Sequence, residues 1–203
     1  MRTFVTVKSD VKEVATRLKE IFKFDESSNK YEANAIDVIN NLEGTDYSYK
    51  NESTKEDWDR EVDFPPDDLY DSIIGVKWMN VEYDHYEGSP EDCNIVLTTA
   101  WYVPTTFLSR LRDELQVIDE DCYIKGTYED ETYDPSGAFI YGKFDYDDTE
   151  DIDEVFDWDE YEEDDFYTEN WHESLSELER DVETAYVEYL EDRIQNPENY
   201  EGF

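Results

Sequence analysis

Between Asp145 and Glu169, fifteen of 25 residues are carboxylates and none is basic. Within this run Asp145, Asp147, Asp148, Glu150, Asp151, Asp153, Glu154, Asp157, Asp159, Glu160, Glu162, Glu163, Asp164 and Asp165 offer the charge pattern of a phosphate track. A basic cleft that gains affinity by releasing counterions gains it from such a surface too. Arginines on a partner can also pair with carboxylates through two parallel hydrogen bonds. Tyr146, Phe156, Trp158, Tyr161, Phe166 and Tyr167 interleave with the acids and can anchor the segment to a domain while the carboxylates face outward.

Catalytic chemistry finds little footing. With 57 Asp and Glu in the chain, any acid–base pair of carboxylates is a coincidence unless a neighbouring His or Lys singles it out, and none does. His85 and His172 have no second His or Cys at zinc-ligand spacing, and Cys93 and Cys122 form no CxxC motif and read as packing residues. Asp145-Tyr146-Asp147 begins like a calcium loop, but its sixth position is Glu150 where a glycine is needed, and its twelfth is Phe156. A restriction-type nuclease often needs a carboxylate two residues before a Lys; the one such triplet, Asp10-Val11-Lys12, reads as a helix start. Neither a dinucleotide fingerprint nor a phosphate-binding Gly-Lys-Ser/Thr loop occurs. The expectation is a non-enzyme with no cofactor and no metal.

The magnitude of the charge points the same way. A globule of 203 residues is ~43 Å across. Duplex DNA of that length carries about 25 phosphates, against a net protein charge of −40. Direct nucleic-acid binding is excluded by repulsion, so Trp78, Trp101 and Tyr128 are expected in the core rather than on a base-stacking platform. Disorder is also the wrong default, because 16% of residues are aromatic. No run approaches the ~18 apolar residues of a membrane span, which predicts a soluble cytoplasmic protein with no membrane partner.

The elements that must hold this surface are readable from periodicity. Thr3 to Val7 predicts a strand, followed by a helix whose stripe is Val11, Val14, Ala15, Leu18, Ile21 and Phe22, with Asp10 and Glu13 as a capping box. Residues 25–31 break the pattern, a second helix runs through Ala35, Ile36, Ile39 and Leu42 to Gly44, and 45–72 reads as a long loop. Residues 76–86 and 93–101 predict a hairpin, and Pro104 opens a helix with Phe107, Leu108, Leu111 and Leu115 on one face. Strands near 121–129 and 138–146 flank a turn at Asp134-Pro135-Ser136-Gly137.

This order contains βαββαβ, so the expected fold is α+β: a ferredoxin-like antiparallel sheet of four or five strands with helices on one face, plus an additional strand, an acidic segment and a long C-terminal helix. The predicted division is a domain over 1–146 with a 25–72 insertion, then an acidic aromatic segment and helix over 147–203 packed on it. The last helix is expected to start at an Asn170/Glu173 capping box and end at Asn196-Pro197. Its stripe of Trp171, Leu175, Leu178, Val182, Ala185 and Tyr189 either packs on its own domain or forms a homodimer seam over 171–189.

Gly75-Val76-Lys77-Trp78, Thr99-Ala100-Trp101 with Pro104, Tyr128-Glu129-Asp130-Glu131, Gly137 and Phe139 carry a further signal. On these residues the stretch 74–142 resembles the ferredoxin-like domain of the YubB family of plasmid and phage proteins. The resemblance departs at Val103-Pro104, where the family often has a proline pair, and it does not extend beyond Asp145. It implies a fold and a mobile-element origin, and brings no catalytic residues.

The expected function is that of an acidic DNA mimic that occupies the nucleic-acid cleft of a basic host defence protein, a restriction enzyme or CRISPR effector, in the host cytoplasm. The alternatives are an acidic interaction module that binds a basic host protein without competing with DNA, and an unrecognised enzyme. Acidity serving only solubility or salt adaptation fits less well, since Lys, at ten, outnumbers Arg, at seven.

Overall fold

Residues 1–23, 31–45, 74–76, 79–85, 93–130, 135–150 and 164–196 are described by a computed structural model. In β1 (Arg2–Lys8), Thr3, Val5 and Val7 are buried and alternate with more exposed neighbours, which is the period of a half-covered strand. α1 (Lys12–Phe22) buries Val14, Leu18, Ile21 and Phe22 at helical spacing. Its start differs from expectation. Val11 is the cap, with no side-chain cap hydrogen bond, and its N–H donates to Ser9 Oγ at 3.0 Å, so Asp10 and Glu13 form no capping box.

β2 (Tyr31–Asn34), a strand not expected between the polar break at 25–31 and the second helix, leads into α2 (Ala35–Glu43), which ends at Gly44 with φ +66°. β3 (Met79–His85) and β4 (Cys93–Thr99) form the expected hairpin, with Met79 opposite Thr99. α3 (Thr105–Gln116) begins after Pro104 and has Phe107, Leu108, Leu111 and Leu115 wholly buried. β5 (Tyr123–Glu129), β6 (Ser136–Tyr141) and β7 (Asp145–Glu150) complete a meander. Ser136 and Gly137 belong to β6 rather than to a turn, and residues 142–144 divide the expected 138–146 strand in two.

The sheet has seven strands, ordered β2-β3-β4-β1-β5-β6-β7, and every neighbouring pair is antiparallel. β1 and β3 therefore run parallel with β4 between them, and β4 and β5 run parallel with β1 between them. The sheet exceeds the expected four or five strands because both edges are polar. YEAN and DYDDTE carry little apolar signal, since an edge strand pairs on one side only and charge there discourages further pairing.

One face of the sheet is closed by α1, α2 and α3 around a core that includes Val5, Val7, Leu18, Ile39, Leu97, Leu111, Ile124 and Phe139. Arg17 ties the three helices together. Its Nε donates to Glu114 Oε1 at 2.7 Å, and Nη2 donates to the carbonyls of Asn41 and Leu42 at the end of α2. α4 (Asp164–Gln195) lies on the other face, where Val182 and Tyr186 meet Ala138 and Ile140 of β6. It starts well before the Asn170/Glu173 capping box expected for it.

Candidate partner-binding surface

α4 is where described structure and acidity coincide. It carries eleven acidic and two basic residues over its 32 positions. Asp164 and Asp165 stand in its first turn, where the helix dipole favours negative charge. Leu175, Val182 and Tyr186 are buried toward β5, β6 and β7, so the apolar seam is taken up by the chain's own sheet. Ala185, expected in that seam, is exposed, and the neighbouring Tyr186 takes the place because helical spacing from Val182 favours it.

Opposite that seam, Glu173, Glu177, Asp181, Glu188, Glu191 and Asp192 are all exposed. From the first to the last is ~28 Å of helix axis. One strand of duplex DNA presents about eight phosphates over that length, so six carboxylates approach the same density.

The expected acidic run divides three ways. Asp145 is the first residue of β7, exposed, and ion-paired with Arg112 of α3. Asp147, Asp148 and Glu150 belong to β7, the edge strand of the sheet, opposite Phe139, Ala138 and Ser136. Asp151, Asp153, Glu154, Asp157, Asp159, Glu160, Glu162 and Glu163 lie outside the described residues, and Asp164 and Asp165 begin α4.

α4 is also fixed by charge. Lys125 Nζ donates to Glu183 Oε2 at 2.8 Å and lies 3.6 Å from Glu179, while Tyr123 Oη donates to Glu183 Oε1 at 2.8 Å. Burial pushes the Glu183 carboxyl up, but hydrogen bonds from Lys125 and Tyr123 outweigh it and hold the group below its ordinary value. Burial works to lower the Arg112 guanidinium, yet Asp113 and Asp145 raise it on balance. Lys143 is raised chiefly by its hydrogen bond to Asp121. Arg17, Arg110 and Arg180 likewise pair with carboxylates of the chain. Sequence reasoning missed these pairs. The available signal was Lys125 between two inward apolar positions of a strand, with Glu179 and Glu183 one turn apart on a helix.

A second feature lies at one end of the sheet. Gly75, at φ +79°, abuts Thr106 of α3 so closely that a Cβ would collide with its hydroxyl. The Met1 amino group donates to the Thr99 carbonyl at 3.3 Å and lies 3.4 Å from Asp130. Beside Asp130, Glu129 is nearly buried, with Oε2 sealed from solvent and without a hydrogen bond, 3.6 Å from His172 Nε2 on α4. Two stretches distant in sequence, Thr99-Ala100-Trp101 and Tyr128-Glu129-Asp130, are thus bridged by the Met1 amino group, while Gly75 is set against the first turn of α3. Tyr128 is in the core as expected; Trp101 is not, being 67% exposed, and Trp78 lies outside the described residues.

Burial, with Asp119 adding to it, pushes the Cys122 thiol up to about 12, so it is no nucleophile at neutral pH. Among the described residues no three His, Cys, Asp or Glu side chains converge as metal ligands, and no helix is long and apolar enough to cross a membrane. No protein-family model matches the chain, and neither a curated protein nor a solved structure matches it.

Proposed function

We propose that the chain is a non-catalytic, cytoplasmic acidic decoy that occupies the nucleic-acid cleft of a basic host DNA-binding defence protein. The observation that carries this reading is the exposed carboxylate row of α4, whose charge density approaches that of a phosphate strand and which is seated on the sheet through Val182 and Tyr186. That packing matters because a row already seated on a sheet has less freedom to lose on binding than an unpacked chain. The acidic edge strand β7 belongs to the sheet on which α4 lies, and its charge adds to the field. The order β3-β4-β1-β5, with α1 and α3 in the connections, supports a ferredoxin-like core, the arrangement that the YubB resemblance implies. β2, β7 and α4 are additions to it.

The test uses restriction endonucleases and RNA-guided nucleases holding a fluorescently labelled duplex. The protein should displace the duplex from its target. Combining Glu173→Gln, Glu177→Gln, Asp181→Asn, Glu188→Gln and Glu191→Gln should weaken displacement about tenfold or more at physiological salt, with circular dichroism unchanged. Equal displacement by wild type and variant removes the row from the mechanism. A ternary complex that keeps its DNA favours an interaction module instead.

A further inference from the structure

Glu129, at the end of β5, is 8% exposed, and its Oε2 is sealed from solvent with no hydrogen bond among the described residues. An ionised carboxylate so placed gives up its hydration and needs a nearby charge in return. His172 on α4 is in position to supply it: Nε2 lies 3.6 Å from Oε2, just beyond hydrogen-bond length, and the ring is 57% exposed, so it exchanges protons with water. Glu129 shares a face of β5 with Lys125, so α4 meets that strand through two charged contacts of opposite polarity. At one, a lysine of the strand faces carboxylates of the helix; at the other, a carboxylate of the strand faces a histidine of the helix. Lysine keeps its charge across the physiological range, whereas histidine loses it there.

The charged groups around this contact come from every neighbouring element. On α4, Glu173 follows His172 and Glu169 precedes it by one turn. β1 places the exposed Arg2 opposite Glu129, and the Met1 amino group pairs with the adjacent Asp130. β6 places Ser136 opposite Glu129, and β7 places Glu150 opposite Ser136. Carboxylates and arginine hold their charge between about pH 5.5 and 7.5, so an imidazole and, at the upper end, an α-amino group are what change over that interval.

We infer that Glu129 and His172 form a proton-operated clasp that fastens the N-terminal part of α4 to the sheet in mild acid and slackens it as pH rises. A charged His172 offers Glu129 Oε2 both a donor and a counter-charge; a neutral ring offers at most a donor and leaves the buried carboxylate without its counter-charge. The closed clasp holds a proton that the open one releases. Its contribution is therefore complete below about pH 6.5, where a free imidazole is charged, and is lost as pH rises through the titration of the pair. This is the reverse of the Lys125–Glu183 contact, which weakens as pH falls. The clasp is independent of what α4 binds, and governs how firmly Glu173 and Glu177, just beyond His172, are presented.

The test is amide hydrogen exchange of the full chain at about pH 5.5 and 7.5, each rate divided by that of the unfolded peptide at the same pH. Protection over residues 172–178 should fall about three- to fivefold between the two, while residues 182–190 change less than about twofold. His172→Gln should show the pH 7.5 level at both values, and His172→Lys, with a permanent charge, the pH 5.5 level at both. Glu129→Gln should abolish the pH dependence by removing the charge that the imidazole meets. A wild type without pH dependence overturns the clasp. So does a dependence that survives His172→Gln, which would assign it to the Met1 amino group or His85. A dependence that survives Glu129→Gln but not His172→Gln overturns it by making another carboxylate the partner, and His172→Lys behaving as His172→Gln overturns it by removing charge from the mechanism. Circular dichroism checks that each variant is folded; if Glu129→Gln is not, the two variants at the exposed His172 decide the matter alone.

Discussion

The two faces of the sheet are covered by different means. Under α1, α2 and α3 lies a large apolar core in which Phe107, Leu108, Leu111 and Ile124 have no exposure. Under α4 the apolar cluster is small, built on Ala138, Ile140, Val182 and Tyr186, and the rest is a Lys125–Glu183–Tyr123 network and stacked aromatics such as Phe144 on Tyr186. The first face makes the domain stable; the second fastens a charged helix to it. A like-charged helix repels the remainder of an acidic chain, so specific ion pairs and a few rings must hold what a large core would otherwise hold.

The sharpest way to break that contrast is in the first core. Phe107→Ala should cost about 3–5 kcal/mol and lower the stability of all elements together, as read by denaturant unfolding. Gly142→Ala should act more locally. A Cβ there collides with the Tyr186 hydroxyl, which accepts a hydrogen bond from the Lys143 N–H at 2.9 Å, so α4 is pushed off its seat at a cost of about 1–3 kcal/mol. Hydrogen exchange should then rise along α4 while β1 and β5 keep their protection; uniform loss would show the two faces to be one cooperative unit.

The smallest effect is electrostatic. Glu183 is held below its ordinary value when folded, so its contribution is complete above an unfolded carboxylate pKa of about 4.3 and is lost as pH falls through the lower folded value. Lys125→Met should remove about 0.5–1 kcal/mol at neutral pH, a figure kept small by solvent screening at a partly exposed pair. It should also flatten the acid-side weakening of α4 attachment, followed by α4 amide exchange between about pH 5 and 3. An unchanged acid profile would place the attachment in the aromatic cluster alone.

Much of this frame was legible in the chain, for reasons that differ by element. α1 and α3 showed themselves through helical stripes, and every apolar residue expected on α3 is buried, because a helix against a core has to repeat its apolar residues near every third or fourth position. β2 and β7 were hidden because their sequences, YEAN and DYDDTE, lack the apolar alternation of a covered strand, as edge strands often do. The capping boxes at Asp10 and Asn170 misled because a four-residue signature also occurs beside or within helices: Ser9 bonds the Val11 N–H ahead of α1, and α4 runs through Asn170. Of the surface, acidity was evident, but its organisation into a row depended on α4 beginning at Asp164 and on which side of it Tyr186 packs. Trp101 was misplaced because large aromatics are ordinarily buried, and positive φ leaves no mark in a tryptophan's identity.

Cys122 turns the first core into a clock. It is fully buried where α3 gives way to β5, its carbonyl held by Gln116 Nε2 at 2.9 Å, and with its thiol pushed up to about 12 only about one molecule in ten thousand would carry the thiolate at pH 8. An alkylating reagent therefore reacts at an appreciable rate only during excursions that expose the sulfur and restore its ordinary acidity. Mass-resolved labelling of Cys122, kept apart from Cys93 by peptide, would report how often that junction opens. On the proposed reading, adding a partner that binds α4 should slow this rate, because Tyr123, next to Cys122, is hydrogen-bonded to Glu183 of that helix.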